Sequence, residues 1–153
     1  MSCWAASMRM ILASRLRHVD SDDAIAAPTN DQASLRTGLD PNATACLRHW
    51  GFRMEYPMCY TPEGFAQLVR ARGPLWVACD VRFPGARRSC PHIRVVTGVR
   101  DNHSPMMLQV NDPGPVGIGS RYEESYEAFC AKNELLGAGE LAEPSPIYVA
   151  YLA

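Results

Sequence analysis

The sequence contains no apolar run approaching the roughly 20 residues that a membrane-spanning helix needs, so no membrane partner is expected. Charge of one sign is also missing. Lys and Arg number 15 against 16 Asp and Glu, for a formal net charge of −1, which offers no pull toward phosphate backbones and makes nucleic acid an unexpected partner. The densest basic stretch, Arg82 to Arg88, includes Pro84, Gly85 and Ala86 and reads as a solvated loop. No cysteine pair has C-x-x-C spacing, and Cys90-Pro91-His92 is too tight to give one ion two ligands without further ligands nearby, so no metal site is expected. The six cysteines are irregularly spaced in a chain long enough to bury a core without staples, which favours reduced thiols over a disulfide framework. Repeats and low-complexity segments are absent too. The 12 prolines and 11 glycines are scattered as punctuation between short elements, so residues 1–153 are expected to form a single domain.

What is present begins with a helical pattern. Trp4, Met8, Ile11 and Leu12 share one stripe over Ser2 to Leu16, which places Cys3 in the first turn. A short helix is expected from Asp20 or Ser21 to about Ile25, stopped by Pro28, and a loop with Gly38 follows. Asp40-Pro41 and Thr61-Pro62 each pair an N-cap with a first-turn proline, predicting helices that end at Gly51 and Gly73. Beyond Gly73 the pattern turns β-like. Leu75 to Cys79, Ile93 to Val99, Met106 to Val110 and Ile147 to Leu152 read as strands, the middle two as an antiparallel hairpin around Arg100 to Pro105. A further helix is expected over about Tyr122 to Asn133, with Tyr126, Phe129 and Cys130 inward. Helices first and an antiparallel sheet afterwards make an α+β domain, with a cleft where the first helix meets the sheet.

A thiol at a helix N-terminus has its anion stabilised by unpaired N–H groups and the dipole, and Cys3 is the cysteine clearly in that position. Cys46, Cys79 and Cys130 lie where free cysteine behaves as a small hydrophobe, and Cys59 has no evident activator. A thiolate nucleophile needs an imidazole to share its proton. Among the four histidines, His18 and His49 sit near helix ends and His103 at the hairpin tip, whereas His92 opens a strand and has a rigid platform. The acceptor that orients such a histidine is expected at Asp112, in the turn Asp112-Pro113-Gly114-Pro115, with Asn111 as the alternative. Strand alternation allows one of the two to face His92.

These residues stand in segments that carry a resemblance. Ser2-Cys3-Trp4-Ala5-Ala6-Ser7 resembles the nucleophile signature of bacterial papain-like cysteine proteases, in particular the avirulence-effector proteases. Gly73-Pro74-Leu75-Trp76-Val77, His92-Ile93-Arg94-Val95-Val96-Thr97-Gly98-Val99 and Val110-Asn111-Asp112-Pro113 resemble later segments of that family, in the same order. The resemblance implies a papain-like fold and a cysteine protease with a Cys3, His92, Asp112 triad, working through a thioester without a cofactor. It also implies a secreted effector or toxin domain, made in the bacterial cytoplasm, that cleaves a protein in the cytoplasm of a recipient cell. An immunity or inhibitor protein would bind it in the producer.

Two other readings keep the fold. The same site would serve an amidase, a deamidase or a leader peptidase, and a catalytically degenerate form would be a binding module. The family pattern also places a glutamine several residues before the nucleophile as an oxyanion donor. Gln32, Gln67 and Gln109 match no such position, so the chain is expected to be the C-terminal catalytic part of a longer polypeptide.

Overall fold

Near-continuous apolar character in Leu75 to Cys79 and Ile93 to Val96 calls for strands covered on both faces, and that is how they are packed. The computed structural model describes residues 2–37, 45–56, 58–81, 90–102, 104–137 and 148–153, with the backbone alone at 37 and 133–137. In chain order the helices are α1 (Cys3–Ser14), α2 (Asp22–Ala26), α3 (Ser34–Thr37), α4 (Ala45–His49), α5 (Pro62–Arg72) and α6 (Tyr126–Gly137). The strands are β1 (Phe52–Met54), β2 (Leu75–Val81), β3 (Cys90–Arg100), β4 (Met107–Asp112), β5 (Ser120–Ser125) and β6 (Val149–Leu152). They form one open antiparallel sheet in the order β1-β6-β2-β3-β4-β5, so the domain is α+β.

Alternation along the strands sends side chains into two cores. Trp76, Val95 and Ala150 meet Trp4, Met8, Ile11 and Leu12 of α1 and Ile25 of α2 on one side. Leu75, Val77, Val96, Leu108 and Val110 meet Phe65 and Val69 of α5 and Phe129 of α6 on the other. Burying each large aliphatic side chain contributes roughly 1.5–3 kcal/mol, so both helical layers are held by area rather than by any single contact.

The helix boundaries follow the capping chemistry. Ser21 accepts from Ala24 N–H at the start of α2, a short 3₁₀ turn containing Pro28 follows that helix, and Thr61 accepts from Gly64 N–H at the start of α5. Gly73, at φ 80°, ends α5 in a conformation that a Cβ would strain. The helix start expected at Asp40-Pro41, the loop at Gly38, the basic stretch Arg82 to Arg88 and the hairpin tip at His103 lie outside the described residues.

Three expectations need correction. The stretch from Tyr122 does not open a helix. Residues 120–125 form edge strand β5 paired with β4, and α6 begins at Tyr126, where Ser125 Oγ accepts from Ala128 N–H as its cap. The short strand β1, pairing Phe52 with Leu152, was not anticipated, nor was the single turn of α3. β2 and β3 also run longer than expected, because Asp80 and Val81 pair with Pro91 and Cys90.

Candidate active site

Residue Cys3 is the first residue of α1, and the helix is fixed to the sheet close to that end. Trp4 is fully buried; its indole N–H donates to Ser34 C=O at 3.0 Å, and its own C=O accepts from the indole of Trp76 at 3.1 Å. One turn on, Ser7 Oγ donates to Ile93 C=O at 3.3 Å, tying α1 to the stretch of β3 that carries His92. The packing of its neighbours thereby holds the thiol against the strand.

His92 is the third residue of β3 and is buried, with 5% of its surface exposed. Its Nε2–H donates to Asp112 Oδ1 at 2.6 Å, a charge-assisted distance. Because that nitrogen is engaged by the carboxylate, Nδ1 is the atom available for the side-chain hydrogen bond between His92 and Cys3. Asp112 closes β4, and the turn that Pro113 starts brings Gly114 N–H to 2.8 Å from Oδ1. Tyr122 O–H donates to Oδ2 at 3.3 Å.

The protonation states follow from these contacts. Burial pushes the Cys3 thiol up, but the hydrogen bond and charge of His92, with backbone hydrogen bonds at Ile93 and Trp4, outweigh it and hold the thiol below its ordinary value. Burial works against the imidazolium too; the hydrogen bond to Asp112, then that to Cys3, prevail and bring His92 up to about 9. Burial likewise opposes the Asp112 carboxylate, and the His92 hydrogen bond and Gly114 N–H hold it below the usual range. The imidazolium and the carboxylate are therefore favoured at neutral pH and the thiolate is favoured relative to an ordinary cysteine, the three titrating as a coupled set.

The thiol and imidazole open onto a cleft of about 410 Å³ between the start of α1 and the 113–117 turn, with Arg9 and Asp22 on its wall. Arg9 and Asp22 pair at 3.1 Å, and Val116 on the opposite rim is almost wholly exposed. Among the described residues, no group of three or more His, Cys, Asp or Glu side chains is arranged to hold a metal ion.

Residues 1–134 match the profile of a family described as papain-like cysteine protease AvrRpt2, a span that includes Cys3, His92 and Asp112. The chain belongs to this family. No curated protein and no solved structure matches it. Membership in the papain-like cysteine protease family supports a protease function, and a thiol beside an imidazole in a cleft is the chemistry such a protease uses.

The structure brings together Cys3, His92 and Asp112 and leaves Asn111 apart. Asn111 pairs with Val95 in register and faces the other side of β4, in a hollow with Thr97, Gln109 and Arg121, so Asp112 rather than the alternative meets His92. His18 and His49 are exposed and distant in role, the first beside Asp20 and the second edge-on to Trp50. Cys46 and Cys79 are buried, and burial pushes both thiols up, Cys79 to about 11.

Sequence reasoning missed the groups behind Asp112. Arg94, 1% exposed, donates from Nη1 to Tyr122 Oη at 2.9 Å and from Nε to Cys79 Sγ at 3.0 Å, and it pairs with Glu124, which Lys132 also contacts. One signal was available: Arg94 interrupts an apolar strand two residues after His92, and so on the same face.

Proposed function

We propose that the chain is a thiol protease of papain-like fold that cleaves a peptide bond in a protein substrate through Cys3, His92 and Asp112. Cys3 thiolate attacks the scissile carbonyl, forming a tetrahedral oxyanion near the N-terminus of α1, where backbone N–H groups and the helix dipole favour negative charge. His92, protonated at rest, gives its Nδ1 proton to the leaving amine as the C–N bond breaks, leaving a thioester on Cys3. Neutral His92 then takes a proton from water, the hydroxide adds to the thioester, and collapse releases the acid and restores the thiolate–imidazolium pair. Asp112 holds the imidazole in the tautomer and orientation that both steps need.

The observation that carries this reading is the unbroken hydrogen-bonded series from Cys3 through His92 to Asp112 at the edge of an open cleft. The family membership supports delivery as a bacterial effector whose substrate lies in a recipient cell. No helix among the described residues is long and apolar enough to cross a membrane. Expression of wild type and Cys3→Ala in recipient-type cells, followed by mapping of new protein N-termini, tests the proposal. New termini that depend on Cys3 support it; identical termini in the two samples overturn it.

A further inference from the structure

Asp112 presents two oxygens, and only one of them meets His92. Oδ1 accepts from His92 Nε2 and from Gly114 N–H, while Oδ2 accepts from Tyr122 O–H at 3.3 Å. The phenol in turn accepts from Arg94 Nη1 at 2.9 Å. A guanidinium only donates, so the phenol oxygen must accept there, and its single proton is left to point at Asp112.

Arg94 is held at Nε and Nη1, while its Nη2 is buried without a hydrogen-bond partner among the described residues. Its Nε donates to Cys79 Sγ at 3.0 Å, Glu124 pairs with Nη1, and the guanidinium carbon lies 5.6 Å from the centre of the Phe129 ring. Lys132 of α6 neutralises the remaining oxygen of Glu124. A buried cation with a buried carboxylate is no source of net stability in general, since removing both from water costs several kcal/mol per ion. Its placement beside the phenol that reaches Asp112 gives it a different use.

We propose that Tyr122 is a positioning residue for the reaction: held by Arg94, its hydroxyl pins the second oxygen of Asp112 and so fixes the carboxylate against His92. The inference rests on the assignment of Cys3, His92 and Asp112 as the reacting set. With Oδ1 and Oδ2 tied to β3, the 113–114 turn and β5, the carboxylate cannot rotate about its own bond without losing a donor. The phenol is suited to the task because burial, against the pull of Arg94, pushes its pKa to about 12, so it remains a neutral donor wherever the thiolate–imidazolium pair exists. The titratable and charged groups that face Asp112 and Tyr122 are Cys79, His92, Arg94, Glu124 and Lys132, with Cys3 reached only through His92.

The test is the pH dependence of Cys3 alkylation by iodoacetamide, read by mass spectrometry in wild type, Tyr122→Phe and Asp112→Asn. Tyr122→Phe removes one donor to the carboxylate and loosens the imidazolium that stabilises the thiolate. Its acid limb should therefore move to higher pH, with a rate several-fold below wild type on that limb and little change on the plateau. Cys46 and Cys79 should stay protected, as they would not in a merely destabilised fold. A Tyr122→Phe profile that overlays wild type while Asp112→Asn is displaced overturns this inference alone. If Asp112→Asn also overlays wild type, the assignment of the reacting set fails instead. Should Tyr122→Phe lose its cooperative melt, the wild-type protein decides: in ¹³C NMR the Tyr122 Cζ resonance should move in step with acid titration of the Asp112 carboxyl. A Tyr122 ring blind to that titration overturns the proposal.

Discussion

His92 Nε2 and Asp112 Oδ1 lie 2.6 Å apart, both side chains almost wholly withdrawn from water. One residue sits near the start of β3 and the other at the end of β4, so the contact depends on hairpin register: the pairing of Val95 with Asn111 is what sends Asp112 to the His92 side of the sheet. The hydrogen bond offsets the burial penalty on the imidazolium and keeps the ring charged at neutral pH.

Replacement of Asp112 by Ala or Asn should lower turnover by on the order of a hundredfold or more, because the imidazole loses both its tautomer and its orientation. Asn111→Ala, on the opposite face, should change turnover little. Steady-state kinetics of the three variants on one substrate checks this; the reverse order would move the orienting role to Asn111.

The pH profile has a defined sense. Turnover requires Cys3 deprotonated and His92 protonated, so it should rise through the lowered thiol pKa and fall as His92 loses its proton near pH 9. His92 is raised above its unfolded value of 6.5, so its contribution to stability is fully present below that value and is lost as pH rises through about 9. In Asp112→Asn the alkaline limb should move to lower pH, since the largest influence raising His92 is gone. An alkaline limb unmoved by that change would detach His92 from Asp112.

Brief iodoacetamide exposure at neutral pH should label Cys3 ahead of every other cysteine. Cys46, Cys79 and Cys90 have thiols pushed up by burial, and the charges of Asp80 and Cys3 add to the effect at Cys90. Peptide mapping that finds Cys59 or Cys90 modified first would contradict the assignment.

Glu124→Ala should destabilise the fold by roughly 3–5 kcal/mol, because it leaves the Arg94 cation buried beside an alanine. Arg94→Met combined with Glu124→Leu removes both charges and should recover most of that loss. Urea unfolding of the single and double variants measures the difference; equal losses in the two would mean that Arg94 is satisfied by other groups.

The first helix, with Cys3 as its first residue, was legible because apolar spacing and Cys3 lie in one contiguous stretch, where local periodicity is strongest. The His92 and Asp112 contact was legible only as a choice between Asp112 and Asn111, since a one-residue shift in register exchanges the two faces and no local pattern fixes register. Residues 122–125 were misread for a related reason. Tyr122 and Tyr126 are spaced like a helix face, but Tyr122 and Glu124 point inward because Asp112 and Arg94 await them from β4 and β3. Polar burial of that kind is decided by partners distant in sequence.

The most direct test of the account is the comparison of new protein N-termini in recipient-type cells expressing wild type, Cys3→Ala or His92→Ala. The account expects a set of new termini present with wild type and absent with both variants, while all three proteins melt cooperatively and accumulate to similar levels. Termini that persist in Cys3→Ala, or a wild type that creates none while Cys3 is alkylated as an activated thiol, would contradict a protease whose nucleophile is Cys3.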